Sequence, residues 1–221
     1  MSGIRNKSYQ ITARGYLMLK KASLVIATLF LLLSCGVAQD GSFDVGLNFT
    51  GVFSKESSGN GVVQSPTQAG GFLATFRVKL ASKHSLAFNY GRATNTQKYD
   101  ASPFSYGIQS KVTEISAAYV FSPGKWGKWE PFALGGVGLL SFGPTLNTTI
   151  NSVSTLFNTR RQIKPAFLYG AGVDYRLLGR LSLRLQYRGI FYSAPDFDVP
   201  GIFTGAKGHL AEPSVGIVFR F

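Results

Sequence analysis

The chain has 221 residues, room for one domain, with 23 basic residues against 10 acidic ones for a formal net charge of +13. Charged residues make up 15% and aromatics 14%, fewer charges than the roughly 25% of a soluble globular surface. The positive residues are scattered singly, which argues against a nucleic-acid partner, and a single cysteine excludes an internal disulfide framework.

Residues 22–33 form the one long apolar run, preceded by Lys20 and Lys21 and followed by the small residues Gly36, Val37 and Ala38. The run falls short of the 18 or so apolar residues a spanning helix needs, so 1–38 reads as a secretory signal cleaved after Ala38. Met18 opens a compact signal of its own, leaving 1–17 as an upstream extension from a misassigned start. Leu32-Leu33-Ser34-Cys35 also resembles a lipobox, in which Cys35 would become a lipidated N-terminus. Removal of 1–38 would leave 18 basic and 10 acidic residues, a net charge of +8.

Eight segments within 39–221 then alternate as strands. In 42–53, Phe43, Val45, Leu47, Phe49 and Phe53 oppose Asp44, Gly46, Asn48 and Thr50. In 71–80, Phe72, Ala74, Phe76, Val78 and Leu80 oppose Leu73, Thr75, Arg77 and Lys79. Segment 84–92 sets Leu86, Phe88 and Tyr90 against Ser85, Ala87, Asn89 and Gly91; segment 111–121 sets Ile115, Ala117, Tyr119 and Phe121 against Glu114, Ser116 and Ala118. Glycines blur the faces of 129–142. In 163–176, Phe167, Tyr169, Ala171, Val173 and Tyr175 oppose Leu168, Gly170, Gly172, Asp174 and Arg176. In 180–192, Leu181, Leu183, Leu185, Tyr187 and Phe191 oppose Arg180, Ser182, Arg184, Gln186 and Arg188. The last, 210–221, puts Pro213, Val215, Ile217, Phe219 and Phe221 opposite Glu212, Ser214, Gly216, Val218 and Arg220.

Each segment has the length a tilted strand needs to cross a bilayer. The connections alternate long (54–70, 93–110, 143–162, 193–208) with short (81–83, 122–128, 177–179). Tight periplasmic turns facing extended external loops predict an all-β, eight-stranded antiparallel up-and-down transmembrane barrel with both termini periplasmic. An open sheet edge cannot stand in hydrocarbon, which requires closure. Reversing the faces of 180–192 would turn Arg184 and Arg188 toward lipid, at about 2 to 4 kcal/mol each at the midplane. Aromatics at strand ends (Tyr119, Phe121, Trp126, Trp129, Tyr175, Tyr192, Phe219 and Phe221) fit an interfacial girdle.

These segments, from residue 40 onward, resemble the eight-stranded outer-membrane barrels of the OmpA, OmpX and opacity-protein type. Val215-Gly-Ile-Val-Phe-Arg-Phe221 looks like the C-terminal signal read by the barrel-assembly machinery of such proteins, with Val215, Ile217, Phe219 and Phe221 as its elements. The resemblance implies an outer-membrane location in a Gram-negative-type bacterium, and the peptidoglycan-binding domain of some members is not expected here.

Inside such a barrel, Arg77, Glu114, Asp174, Arg184, Arg188 and Glu212 form a candidate lumen charge network. Arg188 with Glu212 and Asp174 with Arg184 are its expected pairs. A structural network filling a narrow barrel is the expectation; a gate that exchanges partners is the alternative.

Catalytic, cofactor and metal sites are not expected. His84 and His209 fall at opposite ends, the His-x-Ser pair of outer-membrane deacylases is missing, and Asp196 and Asp198 lack the ligand count for calcium. The role is expected to be structural or surface-binding through the long loops, 143–162 foremost. A narrow pore, or a lipid-modifying enzyme, is the alternative. Expected partners are membrane lipid and lipopolysaccharide, the assembly machinery and an unidentified external ligand, for a monomer.

Overall fold

A computed structural model describes residues 43–151, 153–154, 159–199 and 201–221. The signal segment 1–38, with Cys35 and Ala38, lies outside the described residues. Among the described residues, eleven strands run in chain order: β1 (Phe43–Ser54), β2 (Ser57–Gly59), β3 (Val62–Pro66), β4 (Ala69–Ala81), β5 (His84–Ala101), β6 (Phe104–Phe121), β7 (Trp129–Ile150), β8 (Val153–Ser154), β9 (Gln162–Leu178), β10 (Leu181–Ser193) and β11 (Lys207–Arg220). Eight of them, β1-β4-β5-β6-β7-β9-β10-β11, pair antiparallel in that order, and β11 closes on β1 with Val45 opposite Phe219 and Phe49 opposite Val215. The result is a closed barrel without a free edge in its wall.

Alternation decides what each side chain meets. On β1, Val45, Leu47 and Phe49 point outward, with Phe49 67% exposed, while Asp44, Asn48 and Thr50 are buried inside. The same inversion holds at Ile115, Val137, Leu185 and Ile217 outside, and at Arg77, Asp174, Arg184 and Arg188 inside. Such a wall is stable only where its outer face meets an apolar medium. On β7, whose faces glycines obscured, the even positions turn inward: Phe132, Leu140 and Phe142 are buried.

One end of the barrel, the turn end, carries the short connections after β4, β6 and β9. Gly179, at φ +45°, makes the two-residue turn between β9 and β10. The first and last wall strands also meet there, where the Phe221 N–H donates to the Phe43 carbonyl and the two rings stack at 4.7 Å.

The opposite, loop end differs from the expectation of long loops. β5 and β6 stay paired through Ala101 and Phe104, so 93–110 is a hairpin closed at Ser102-Pro103 rather than a loop, and β7 extends over 22 residues. The sequence concealed these extensions because Thr94, Thr96 and Lys98 oppose Asn95, Gln97 and Tyr99. Polar residues occupy both faces where neither must be apolar, so the hydropathy contrast fades while the pleat continues. Within 54–70, β2 and β3 form a second hairpin around Asn60-Gly61, both at positive φ, and β3 adds to the upper part of β5. Asn-Gly is a recognised hairpin turn signal, which the alternation reading passed over.

Residues 194–199 and 201–206 hold no strand but are anchored. Phe197, Val199 and Ile202 are buried against the inward wall residues Ile108, Leu140, Phe142, Leu168 and Leu210. The Tyr99 hydroxyl donates to the Pro195 carbonyl at 2.7 Å, Asn60 Nδ2 to Phe203 O at 3.4 Å, and the Arg160 N–H to Phe197 O at 3.1 Å. The segment is a cap fastened to three parts of the loop end. Tyr192, assigned above to the outer girdle, points inward instead and its ring packs 5.4 Å from that of Phe142, because its parity on β10 is that of Arg188 and Ile190.

Candidate functional site

The lumen is filled in three tiers. Nearest the turn end, Asp44 on β1, Arg77 on β4, Glu130 on β7, Asp174 on β9, Arg184 on β10 and Arg220 on β11 converge. Arg184 donates through Nε and Nη2 to the two oxygens of Asp174 at 2.7 and 2.8 Å. Arg220 joins Glu130 at 2.6 Å and Asp174 at 3.0 Å. Arg77 stands 3.8 Å from Asp44 and 3.7 Å from Asp174, and Arg184 Nη2 stands 3.6 Å from Asp44. Three cations thus balance three anions. The Phe132 ring lies under two of the guanidinium groups, 4.6 Å from Arg77 Cζ and 5.2 Å from that of Arg184. Gly172 leaves room for this ring: a Cβ there would stand 2.5 Å from Phe132 Cζ.

Above it, Arg188 on β10 donates to both oxygens of Glu114 on β6, at 2.9 and 2.6 Å, and shares Nη2 with Glu212 on β11. Glu114 also accepts from the Ser116 hydroxyl at 2.6 Å; Asn89 donates to that hydroxyl, and Thr75 donates to Asn89. Hydrogen-bonded side chains therefore link β4, β5 and β6 across the inner wall. The cavity beside Arg188 and Glu212 has a volume of about 20 Å³, room for a single water. The third tier is the apolar cluster under the cap, topped by Gln64, Gln97 and Tyr99, in which Gln64 donates to Gln97 at 2.7 Å and to the Tyr99 oxygen at 3.3 Å.

The six candidate residues are thus divided between two clusters: Arg77, Asp174 and Arg184 in the first, Glu114, Arg188 and Glu212 in the second. Arg188 lies directly across from Glu212, and Arg184 across from Asp174, in adjacent strands. Asp44, Glu130, Arg220 and Phe132 were missing from the candidates. Parity on β1 and β11 already placed Asp44 and Arg220 inward, whereas the glycine-blurred faces of β7 hid Glu130 and Phe132; most of their contacts cross the lumen between strands that do not pair.

Val215, Ile217 and Phe219 project outward from β11, and Phe221 follows it. At the turn end His84 Nδ1 pairs with the Tyr119 hydroxyl, and at the loop end His209 Nε2 lies 3.1 Å from the Tyr169 hydroxyl. Gln162 Nε2 donates to both Asp196 and Asp198. Among the described residues, no three His, Cys, Asp or Glu side chains are grouped to hold a metal ion.

No protein-family model matches the chain, and no curated protein sequence does. Solved structures do match in fold. Neisserial surface protein A is 15% identical with a TM-score of 0.53, over 83% of this chain and 99% of that one. The outer membrane protein OprG of Pseudomonas aeruginosa is 13% identical with a TM-score of 0.57, over 83% and 97%. The attachment invasion locus protein of Yersinia pestis, in complex with the heparin analogue sucrose octasulfate, is 14% identical with a TM-score of 0.50, over 83% and 100%. The fold is that of the eight-stranded outer-membrane β-barrels.

Proposed function

We propose that this chain is an integral outer-membrane barrel that conducts no solute and serves as a rigid, capped platform for contacts at its loop end. The orientation we assign puts the turn end, with Phe43 and Phe221, in the periplasm and the cap outside. The observation that carries the reading is the filled lumen: Arg184 and Arg188 in the two charged tiers, and Phe142, Phe197 and Ile202 in the apolar tier under the cap, are each fully buried. About 9 to 11 residues of each strand suffice to cross the hydrocarbon, so the 18-residue hairpin arms β5 and β6 reach roughly 20 Å beyond it. Rigid extensions of this kind favour surface binding over transport. During biogenesis the assembly machinery would read Val215, Ile217, Phe219 and Phe221, and the mature barrel would stand as a monomer in lipid and lipopolysaccharide.

Single-channel recording across a planar bilayer tests this. A refolded sample, verified by its unheated gel shift, should give no discrete current steps. Reproducible steps would replace the platform by a narrow pore, with exchange among Glu114, Glu212, Arg77, Arg184 and Arg188 as its gate.

A further inference from the structure

At the loop end, the outer wall carries an open groove of about 640 Å³ that the lumen reading leaves without a role. Its cations are Arg92 on β5, Lys111 on β6 and Arg161 just before β9; Thr113 and Ser141 are among the other residues that line it. Register brings the cations together: Arg92 is paired with Thr113, and Lys111 with Gly143. The Arg161 side chain lies over Gly143 of β7, its Nε and Nη2 3.5 and 3.6 Å from where a Cβ would stand.

Between Glu130 and Asp174 the chain has no acidic residue, and Glu114, the carboxylate nearest Lys111 in sequence, turns inward to Arg188. Among the described residues, none of the three cations forms an ion pair. Three like charges gathered without a counter-charge create a potential that selects an anion.

Height along the wall identifies the anion. Two to four residues nearer the turn end, on the same outward faces, stand Tyr90, Ile115, Leu139 and Ile163, all well exposed. That spacing is roughly 7 to 13 Å along a tilted strand, hence about 5 to 10 Å along the membrane normal, the depth of the headgroup layer. The cross-strand partner of Arg92 on its other side is the aromatic Phe72, which also faces outward.

We infer that this groove binds a phosphate group of a phosphorylated glycolipid headgroup in the outer leaflet, with the hydroxyls of Thr113 and Ser141 facing the sugar. The inference rests on the membrane reading above. It adds a one-sided lipid site to a wall otherwise in unspecific contact with its bilayer.

The test places the refolded protein in phosphatidylcholine nanodiscs and titrates in a diphosphorylated disaccharide lipid, its dephosphorylated form, or inorganic phosphate, with bound lipid counted by native mass spectrometry. Wild type should retain the phosphorylated lipid in preference to the dephosphorylated one. Arg92→Gln/Lys111→Gln/Arg161→Gln should bind it roughly tenfold more weakly, and Lys55→Gln/Lys207→Gln, which removes two charges at the same end, should bind as wild type does. Arg161→Gln alone, outside any strand, gives the same direction of change without touching the wall. Equal binding by the triple variant, or equal loss in the control pair, overturns the site. So does inorganic phosphate binding as tightly as the lipid, which would make it a free-anion site. A folded barrel that inserts but shows no phosphate preference sinks the groove alone; failure to insert sinks the membrane reading.

Discussion

Arg188→Ala is the substitution most exposing of how the lumen is held. The side chain is 1% exposed and is the sole guanidinium contacting Glu114 and Glu212 among the described residues, themselves 6% and 9% exposed. Its removal leaves two buried carboxylates uncompensated, and breaking a buried ion pair from one side costs about 3 to 5 kcal/mol. Glu212→Ala leaves the two-point contact between Arg188 and Glu114 intact, so it loses one charged hydrogen bond, about 1.5 to 3 kcal/mol. With a urea dependence of about 2 kcal/mol per molar, the unfolding midpoint should fall by roughly 2 M for Arg188→Ala and about 1 M for Glu212→Ala. Unheated gel mobility and tryptophan fluorescence in detergent would follow the transition, since the two tryptophans, Trp126 and Trp129, both sit at the turn end. A Glu212→Ala midpoint below that of Arg188→Ala, or an Arg188→Ala midpoint matching wild type, would refute Arg188 as the hub of this tier.

Two further outcomes concern the cap. Proteinase K should leave 194–206 intact in the wild type but cut it in Phe197→Ala/Ile202→Ala, with the wall surviving as a resistant core; each truncation removes a fully buried apolar side chain, at a cost of about 2 to 5 kcal/mol. Cleavage of the wild-type segment at the same rate would show that it does not seal the lumen. Tyr99 supplies a pH dependence: burial, chiefly, raises its hydroxyl above the usual tyrosine range, with Tyr192 and Asp196 adding to the shift. Because the folded value is raised, its contribution is fully present below the unfolded value near 10 and is lost as pH rises from there toward the folded value. Protease protection of the cap should therefore decline above about pH 10 in the wild type, and less steeply in Tyr99→Phe; parallel profiles would mean that Tyr99 does not anchor the cap.

Much of the wall was legible because lipid and lumen impose opposite demands on successive residues. Phe49, Ile115 and Ile217 outward, with Arg184 and Arg188 inward, follow from period two and the cost of charge in hydrocarbon. Where that opposition lapses, so did the reading. The upper arms of β5, β6 and β7 are strands without hydropathy contrast, and β2 and β3 were marked only by Asn60-Gly61.

The sequence by itself determined the eight alternating segments and, on all but the glycine-rich one, their inward and outward faces, and it made Arg188–Glu212 and Arg184–Asp174 candidate pairs, since adjacent antiparallel strands limit which residues lie opposite. Closure decided the rest. Glu114 meets Arg188, and Arg220 meets Glu130, only because a sheet curled into a barrel brings inward side chains from non-neighbouring strands onto one axis. The cap over Tyr99, and the gathering of Arg92, Lys111 and Arg161 on one outer face, likewise depend on lateral distances that only the folded wall sets.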